Sequence, residues 1–191
     1  MTSIVTLTLN PSLDNATTTP RLYPDGKLRC TRPRYEPGGG GINVARAICK
    51  LGGEALALFP AGGPTGEQLA KLLHEAGVGH QVLAISDWTR ESFNIVIEQS
   101  GEQYRFVMPG ARLSDDEQQQ LLERLMAIPS LDYLVISGSL PDGVDAGFIS
   151  QLVSAANSRH AAVILDSSGP ALRQAVEAGG LTLIKPNINE L

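Results

Sequence analysis

The sequence predicts an α/β fold, in which a mainly parallel sheet is flanked by helices and accompanied by a small second sheet. In the second half of the chain, short apolar runs alternate with amphipathic stretches, which is typical of parallel strands joined by helices. Strands are expected at 133–136, 161–165 and 181–185, with helices between them at 146–158 and 170–178. Two alternating runs at 93–99 and 103–108 flank Ser100-Gly101-Glu102, which indicates a β-hairpin.

The first half of the chain supplies the remaining elements. A β-rich run at 1–9 ends at the turn Asn10-Pro11-Ser12. Extended segments at 15–22 and 28–35 predict two exposed strands, which need cover from a ligand or a partner. The sequence then predicts helices at 42–51 and 65–76, each followed by a strand, at 55–61 and 81–85. Thr65 is the expected N-cap of the second helix. A further helix begins with the capping box Ser114-Asp115-Asp116-Glu117 and continues to about residue 126.

Composition and charge limit the classes of protein to which the chain can belong. The chain has 191 residues, of which 42% are hydrophobic and 18% charged, as expected for one globular domain with its own core. A net charge of −5 and a pI of about 5.2 argue against a nucleic-acid partner. No apolar run has the length of a membrane helix, and the first residues lack a signal-peptide pattern. The two cysteines, Cys30 and Cys49, fit a reduced, cytoplasmic setting.

The glycine run Glu36-Pro37-Gly38-Gly39-Gly40-Gly41-Ile42-Asn43 is the most informative motif. Glycines ahead of a helix let the backbone approach a ligand closely, and a helix N-terminus favours anions. Asn43 can offer its amide to a sugar hydroxyl, although a flexible turn with a helix cap explains the same pattern. The run is not a dinucleotide fingerprint, and the chain contains no Walker A sequence.

Other polar residues occupy positions at which parallel sheets bind ligands. Asp14, Ser139 and Asp166 follow predicted strands, beyond whose carboxyl ends ligands are usually held. Arg90 precedes a strand and is a candidate phosphate anchor, because a guanidinium binds phosphate through two parallel hydrogen bonds. Each of these residues alone is equally compatible with an ordinary turn or surface position.

The last motif of the chain is Lys185-Pro186-Asn187-Ile188-Asn189-Glu190. A lysine can neutralise nucleotide phosphates, and a glutamate can hold Mg²⁺ directly or through water. Asp166 is a candidate for the same metal network, with a simple turn cap as the alternative.

Together and in this order, the motifs resemble the ribokinase-like (pfkB) family of carbohydrate kinases. The resemblance covers essentially the whole chain and adds the segments 6–14, 62–66 and 137–141 to the glycine run and the final motif. It implies a ribokinase-like fold and ATP-dependent phosphorylation that requires Mg²⁺. Gly40 stands where relatives acting on fructose 1-phosphate or tagatose 6-phosphate usually carry lysine, and the stretch 100–110 also fits the 6-phosphofructokinase subgroup. The implied reaction is therefore phosphorylation of fructose 6-phosphate at its C1 hydroxyl, a step of glycolysis.

The resemblance also implies a role for each candidate residue. Sugar hydroxyls would be held by Asp14, Gly39, Gly40 and Asn43, and the 6-phosphate by Arg90 and Ser139. The strands from about 15–36 and 92–108 would form a lid that covers the sugar and pairs with a second subunit in a homodimer. From that lid, Arg29 would reach a neighbour's ligand and Lys27 a regulatory ATP. Lys185 and Asn187 would face the catalytic nucleotide, and Glu190 and Asp166 the metal.

One family signature is missing from the sequence. The family's Gly-Ala-Gly-Asp motif supplies an anion hole and the aspartate that takes the proton from the sugar hydroxyl, and this chain contains no Gly-x-Gly-Asp. We therefore expect no catalytic residue within the chain and a base beyond Leu191. The interpretation is the front portion of a kinase fold, with little turnover of its own. The alternatives are a kinase for another phosphosugar or a non-catalytic sugar-phosphate-binding module.

Overall fold

Ten strands and five helices occupy the part of the chain that the computed structural model describes, residues 3–186 and 188. In chain order they are β1 (Ile4–Leu7), β2 (Ser12–Thr19), β3 (Arg34–Gly38), α1 (Gly40–Lys50), β4 (Leu56–Ala61), α2 (Gly63–Glu75), β5 (Gly79–Ala84), β6 (Arg90–Ile97), β7 (Gln103–Val107), α3 (Asp115–Ala127), β8 (Tyr133–Ser137), α4 (Ala146–Asn157), β9 (Ala162–Asp166), α5 (Gly169–Ala178) and β10 (Leu183–Ile184). None of these helices is long and apolar enough to cross a bilayer.

The main sheet has six strands in the order β10-β9-β8-β1-β4-β5, and every neighbouring pair is parallel. Successive residues of β4 point to opposite faces, so Leu58 and Phe59 are fully buried in different apolar clusters. One cluster packs against α3, α4 and α5, and the other against α1 and α2. The predicted α/β architecture with a parallel sheet flanked by helices is confirmed.

The small sheet has four strands in the order β3-β2-β6-β7. Its two outer pairs are antiparallel, whereas β2 and β6 pair in parallel, from Ser12 opposite Arg90 to Thr19 opposite Ile97. Leu13 of β2 reaches the cluster beneath α1 and α2, which anchors the base of the small sheet to the main sheet.

Three local predictions are wrong. The exposed strand expected at 15–22 runs from Ser12 to Thr19, and all its residues are buried or half-buried. The strand expected at 28–35 begins only at Arg34 and continues to Gly38, so the glycine run is divided between β3 and the start of α1. Thr65 is not an N-cap, because α2 begins at Gly63 after the cap residue Gly62. Pro64 explains this earlier start, since proline is favoured in the first turn, where its missing N–H has no role. The Ser114 capping box of α3 is confirmed.

Candidate functional site

The glycine run lies at the point where the strand order of the main sheet reverses, between β1 and β8. Such switch points leave a crevice at the carboxyl ends of parallel strands. Gly39 has a φ of 120°, which strongly favours glycine. A side chain at Gly40 would lie 2.6 Å from the carbonyl carbon of Ser137, and one at Gly41 would lie 2.6 Å from the Leu7 carbonyl oxygen. The glycines therefore let α1 begin directly on the ends of β1 and β8.

A cleft of about 420 Å³ lies between the small sheet and the first turn of α1. Three of the residues expected to bind substrate line it, namely Asp14, Asn43 and Arg90. Both sheets are needed for this convergence, because Asp14 and Arg90 belong to neighbouring strands of the small sheet and Asn43 to the helix over the main sheet.

Asp14 is held in a fixed orientation. Its Oδ1 accepts a hydrogen bond of 2.6 Å from the Ser12 hydroxyl, and the bare backbone of Gly38 lies against its carboxylate. The carboxylate is half-buried and faces the cleft. It therefore offers an oriented acceptor to a hydroxyl group.

The guanidinium of Arg90 is fixed by two backbone carbonyls. Nη1 donates to Met108 O at 3.1 Å and Nη2 to Asn10 O at 3.2 Å, while Nε is buried without a protein partner within the described residues. Burial lowers the pKa of Arg90, and the negative charge of Asp14 partly opposes that shift. Arginine nevertheless remains protonated at neutral pH, so the cleft contains an oriented positive charge. The N–H groups that do not donate to Met108 or Asn10 can donate to a ligand.

Asn43 lies in the first turn of α1 with its side chain exposed at the cleft. Its Oδ1 accepts a hydrogen bond of 3.3 Å from Arg46 Nη1, which orients the amide and leaves Nδ2 free to donate to a ligand.

Ser139 lies in a neighbouring cavity of about 440 Å³, together with residues of α5 such as Pro170 and Gln174. Its Oγ accepts a hydrogen bond of 3.0 Å from Asn10 Nδ2, and the backbone carbonyl of that same asparagine holds Arg90. The two expected phosphate-binding residues therefore line different cavities but share one neighbour.

Asp166 and Lys185 form an ion pair of 3.1 Å at the carboxyl ends of β9 and β10. The second oxygen of Asp166 accepts a hydrogen bond of 3.0 Å from Ser137 Oγ. Mg²⁺ is commonly held by one or two carboxylates and several waters, so Asp166 fits as one ligand acting through water. The described residues contain no group of three or more histidine, cysteine or acidic side chains placed to hold a metal. Asn187 and Glu190 lie outside the described residues.

Lys27 and Arg29 are exposed on the segment between β2 and β3, and the structure does not bring them to the cleft. Their described hydrogen bonds involve only their backbone carbonyls, which accept from the hydroxyls of Tyr23 and Thr19.

Sequence reasoning missed several polar residues that line the cleft, among them Arg46, Asn94 and Arg105. Asn94 and Arg105 face each other across the β6–β7 pair, and no carboxylate in the described part of the chain lies within ion-pair distance of Arg105. The hairpin signal at 100–102 could have predicted that Asn94 and Arg105 lie opposite each other. No local pattern indicated that the hairpin packs beside β2, and only the family resemblance assigned both segments to one lid.

Comparison with known proteins gives consistent results. The family profile described as pfkB family carbohydrate kinase matches residues 7–191. The ATP-dependent 6-phosphofructokinase isozyme 2 of Escherichia coli K12 is 56% identical over 191 residues, which is all of this chain and 62% of the relative. The corresponding isozyme of Mycobacterium tuberculosis H37Rv is 46% identical over 189 residues, or 98% of this chain and 55% of the relative.

Solved structures agree with these sequence relatives. Phosphofructokinase-2 from Escherichia coli in complex with fructose-6-phosphate is 56% identical and superposes with a TM-score of 0.95, covering 100% of this chain and 63% of that one. Its tetrameric inhibited form gives the same TM-score and identity over 62% of its chain. The present chain thus spans less than two thirds of the length of these relatives.

Proposed function

The chain belongs to the pfkB family of carbohydrate kinases, and from this premise we propose that it forms the sugar-phosphate-binding part of an ATP-dependent 6-phosphofructokinase. Such an enzyme transfers the terminal phosphoryl group of ATP to the C1 hydroxyl of fructose 6-phosphate and yields fructose 1,6-bisphosphate. The observation that supports this best is the convergence of Asp14, Asn43 and Arg90 on one cleft. Together they offer an acceptor, a donor and a permanent positive charge, which a phosphorylated sugar requires.

The sugar hydroxyls are assigned to Asp14 and Asn43. Ser12 engages one carboxylate oxygen of Asp14, and the other remains available to accept from a hydroxyl. Asn43 donates through Nδ2 because Arg46 engages its Oδ1. Gly39 and Gly40 leave no side chain between the sugar and the start of α1, so the ring can approach the backbone closely.

The 6-phosphate is assigned to Arg90 and Ser139. Arg90 retains N–H donors beyond those given to Asn10 and Met108, and a guanidinium binds phosphate more strongly than a neutral donor does. Arg105, which has no carboxylate within ion-pair distance in the described part of the chain, adds a further positive charge to the same cleft. In an assembly, Arg29 of a second subunit would complete this end of the site.

The nucleotide is assigned to the far side of the switch point, at Lys185 and Asn187. Mg²⁺ would be held by Asp166, through water, and by Glu190, and it would neutralise charge on the transferred phosphoryl group. Lys185 contacts Asp166 directly. On the proposed function, its ammonium would exchange this carboxylate for a nucleotide phosphate. Because the sequence lacks Gly-x-Gly-Asp, we expect this chain to bind the sugar phosphate with little turnover.

Self-association is proposed to occur through the small sheet, with a cytoplasmic homodimer as its smallest unit, although the inhibited form of the Escherichia coli relative is a tetramer. The pairing register places Tyr35, Asn15, Phe93 and Phe106 side by side, and the two outer rings are 40% and 47% exposed. A second copy that covers this row would remove apolar surface from water. The same segment carries Lys27, the proposed contact for a regulatory ATP.

Calorimetric titration of this chain tests the proposal and its alternatives. We expect fructose 6-phosphate to bind more tightly than fructose 1-phosphate, tagatose 6-phosphate or unphosphorylated fructose. Tighter binding of one of the other phosphosugars would identify a different kinase, and equal binding of fructose and its phosphate would remove the phosphate site.

A coupled assay of ATP consumption separates a partial kinase from a complete one. We expect only trace turnover with fructose 6-phosphate, whereas turnover at the rate of a complete 6-phosphofructokinase would contradict the assignment of the catalytic base to a missing motif.

A further inference from the structure

We propose that Asn10 is a positioning residue that fixes Ser139 beside Arg90, so that one phosphate group can be bound by both. The proposal rests on the proposed function, because it concerns the phosphate end of the same site. It adds a residue that neither touches the sugar-phosphate cleft nor carries a charge.

Asn10 contacts both proposed phosphate-binding residues. It lies in the turn after β1 and is 8% exposed. Its backbone carbonyl accepts from Arg90 Nη2 at 3.2 Å, and its side-chain Nδ2 donates to Ser139 Oγ at 3.0 Å. Arg90 begins β6 of the small sheet, whereas Ser139 follows β8 of the main sheet. A single residue therefore sets the relative position of two groups that belong to different sheets.

The hydrogen bond from Asn10 also determines what Ser139 can do. A serine hydroxyl has one proton and two lone pairs. Because Ser139 Oγ accepts from Asn10, its proton is directed elsewhere, and no protein acceptor for it occurs within the described residues. The Ser139 hydroxyl is thus oriented as a donor, which is the role that a phosphate oxygen requires. Without Asn10 the hydroxyl would rotate freely, and binding would have to restrict that rotation.

The amide of Asn10 is enclosed on its other side by the segment that follows β7. A side chain at Gly110 would collide with the Asn10 amide, and Met108, two residues earlier, accepts from Arg90 Nη1 at 3.1 Å. Asn10 Oδ1 is buried and has no partner in the described part of the chain. Leaving a buried acceptor unpaired costs free energy, so this orientation is retained at some expense to stability.

The test is a double-mutant cycle on fructose 6-phosphate binding, measured by calorimetry with the 191-residue chain. Asn10→Ala should weaken binding by up to about tenfold, which is the whole effect of the hydrogen bond that Ser139 gives to a charged ligand and that Asn10 no longer orients. Ser139→Ala should weaken binding by a similar factor. In the Ser139→Ala background, Asn10→Ala should add less than about a twofold loss, because the hydroxyl that it orients is absent.

Two further variants separate positioning from folding. Asn10→Asp keeps the shape of the side chain but replaces the donor by a negative charge, so it should weaken binding more than Asn10→Ala does. Gln118 is another buried amide, which donates to Leu113 O and Gly143 O away from the cleft. Gln118→Ala should lower the unfolding temperature and leave fructose 6-phosphate binding unchanged.

The outcomes are distinct. An unchanged affinity in Asn10→Ala, or a full tenfold loss that persists in the Ser139→Ala background, would overturn the positioning role. Failure of the parent chain to bind fructose 6-phosphate would instead overturn the proposed function, and this inference with it.

Discussion

The two sheets of the molecule differ in how they use their side chains. In the main sheet, β1 and β4 are almost entirely buried on both faces, and their side chains are nearly all apolar. In the small sheet, every residue of β7 is exposed and most of β6 is half-buried. The cleft is lined from the small sheet by charged and amide side chains, among them Asp14, Asn94 and Arg105.

This contrast separates stability from binding. A strand covered on both faces contributes mainly burial of apolar surface, whereas a half-exposed strand can carry charge without a large desolvation cost. We therefore expect substitutions in the main sheet to change the free energy of unfolding, and substitutions in the small sheet to change affinity. The predictions below test this separation, beginning with the largest expected effect.

Two phenylalanines provide the sharpest comparison. Phe59 in β4 is fully buried, whereas Phe106 in β7 is 47% exposed. Phe59→Ala should lower the free energy of unfolding by about 3–5 kcal/mol, because it leaves a cavity in the core. Phe106→Ala should lower it by less than about 1 kcal/mol. Urea unfolding of both variants at low protein concentration measures the difference, and equal losses would show that the small sheet is as important for stability as the main sheet.

Arg90 tests the same separation of stability from binding, with the affinity for fructose 6-phosphate as the measured quantity. Arg90→Ala should weaken fructose 6-phosphate binding roughly 10- to 100-fold, because a charge-assisted contact contributes about 1.5–3 kcal/mol. The unfolding temperature of Arg90→Ala should change little in comparison with this loss of affinity. Arg159 is the matched control, since its guanidinium donates to the carbonyls of Leu125, Met126 and Pro129 at the end of α3, away from the cleft.

Arg159→Ala should therefore reduce stability and leave binding intact. The assignment of Arg90 to the phosphate would be wrong if Arg90→Ala bound the sugar phosphate as tightly as the parent chain.

Glu117 links α3 to the segment between β5 and β6, which connects the two sheets. Its carboxylate accepts from the backbone and the hydroxyl of both Ser86 and Ser114, at 2.8–3.1 Å. Burial alone would raise the pKa of Glu117, but these hydrogen bonds favour the charged form and lower the pKa overall. The stabilisation is thus present above the ordinary glutamate pKa and is lost as the pH falls through the lowered pKa.

Unfolding measured against pH tests this linkage. The parent chain should lose stability below about pH 4, and Glu117→Gln should lose about 1–2 kcal/mol at neutral pH and show a weaker acid dependence. Glu75, whose surface ion pair with Lys71 is well exposed, is the control, and Glu75→Gln should resemble the parent chain. If stability fell with pH in the same way in Glu117→Gln and in the parent chain, Glu117 would be excluded as the source of the acid dependence.

The sequence was informative where the signal is local. The alternation of strands and helices, the Ser114 capping box and the β6–β7 hairpin each depend on residues close together in the chain, and all three were predicted. Thr65 was misassigned because the helix starts two residues earlier, at Gly63, with Pro64 in its first turn.

Long-range pairing was beyond the reach of sequence reasoning. The parallel pairing of β2 with β6 is not encoded by any local pattern, so the cleft residues Arg105 and Asn94 were missed. The convergence of Asp14, Asn43 and Arg90 was expected from the family resemblance and not from the spacing of these residues. Their roles as ligands remain predictions.

The bonds made by Asn10 have a consequence for the order of folding. Its two partners lie 80 and 129 residues further along the chain. Contacts between distant segments form late, because closing a long loop costs entropy before the contact can repay it. The helices can form from local signals, whereas the proposed phosphate end of the site requires the turn after β1, the start of β6 and the end of β8 to meet. During refolding, helix content should therefore return before the ability to bind a ligand.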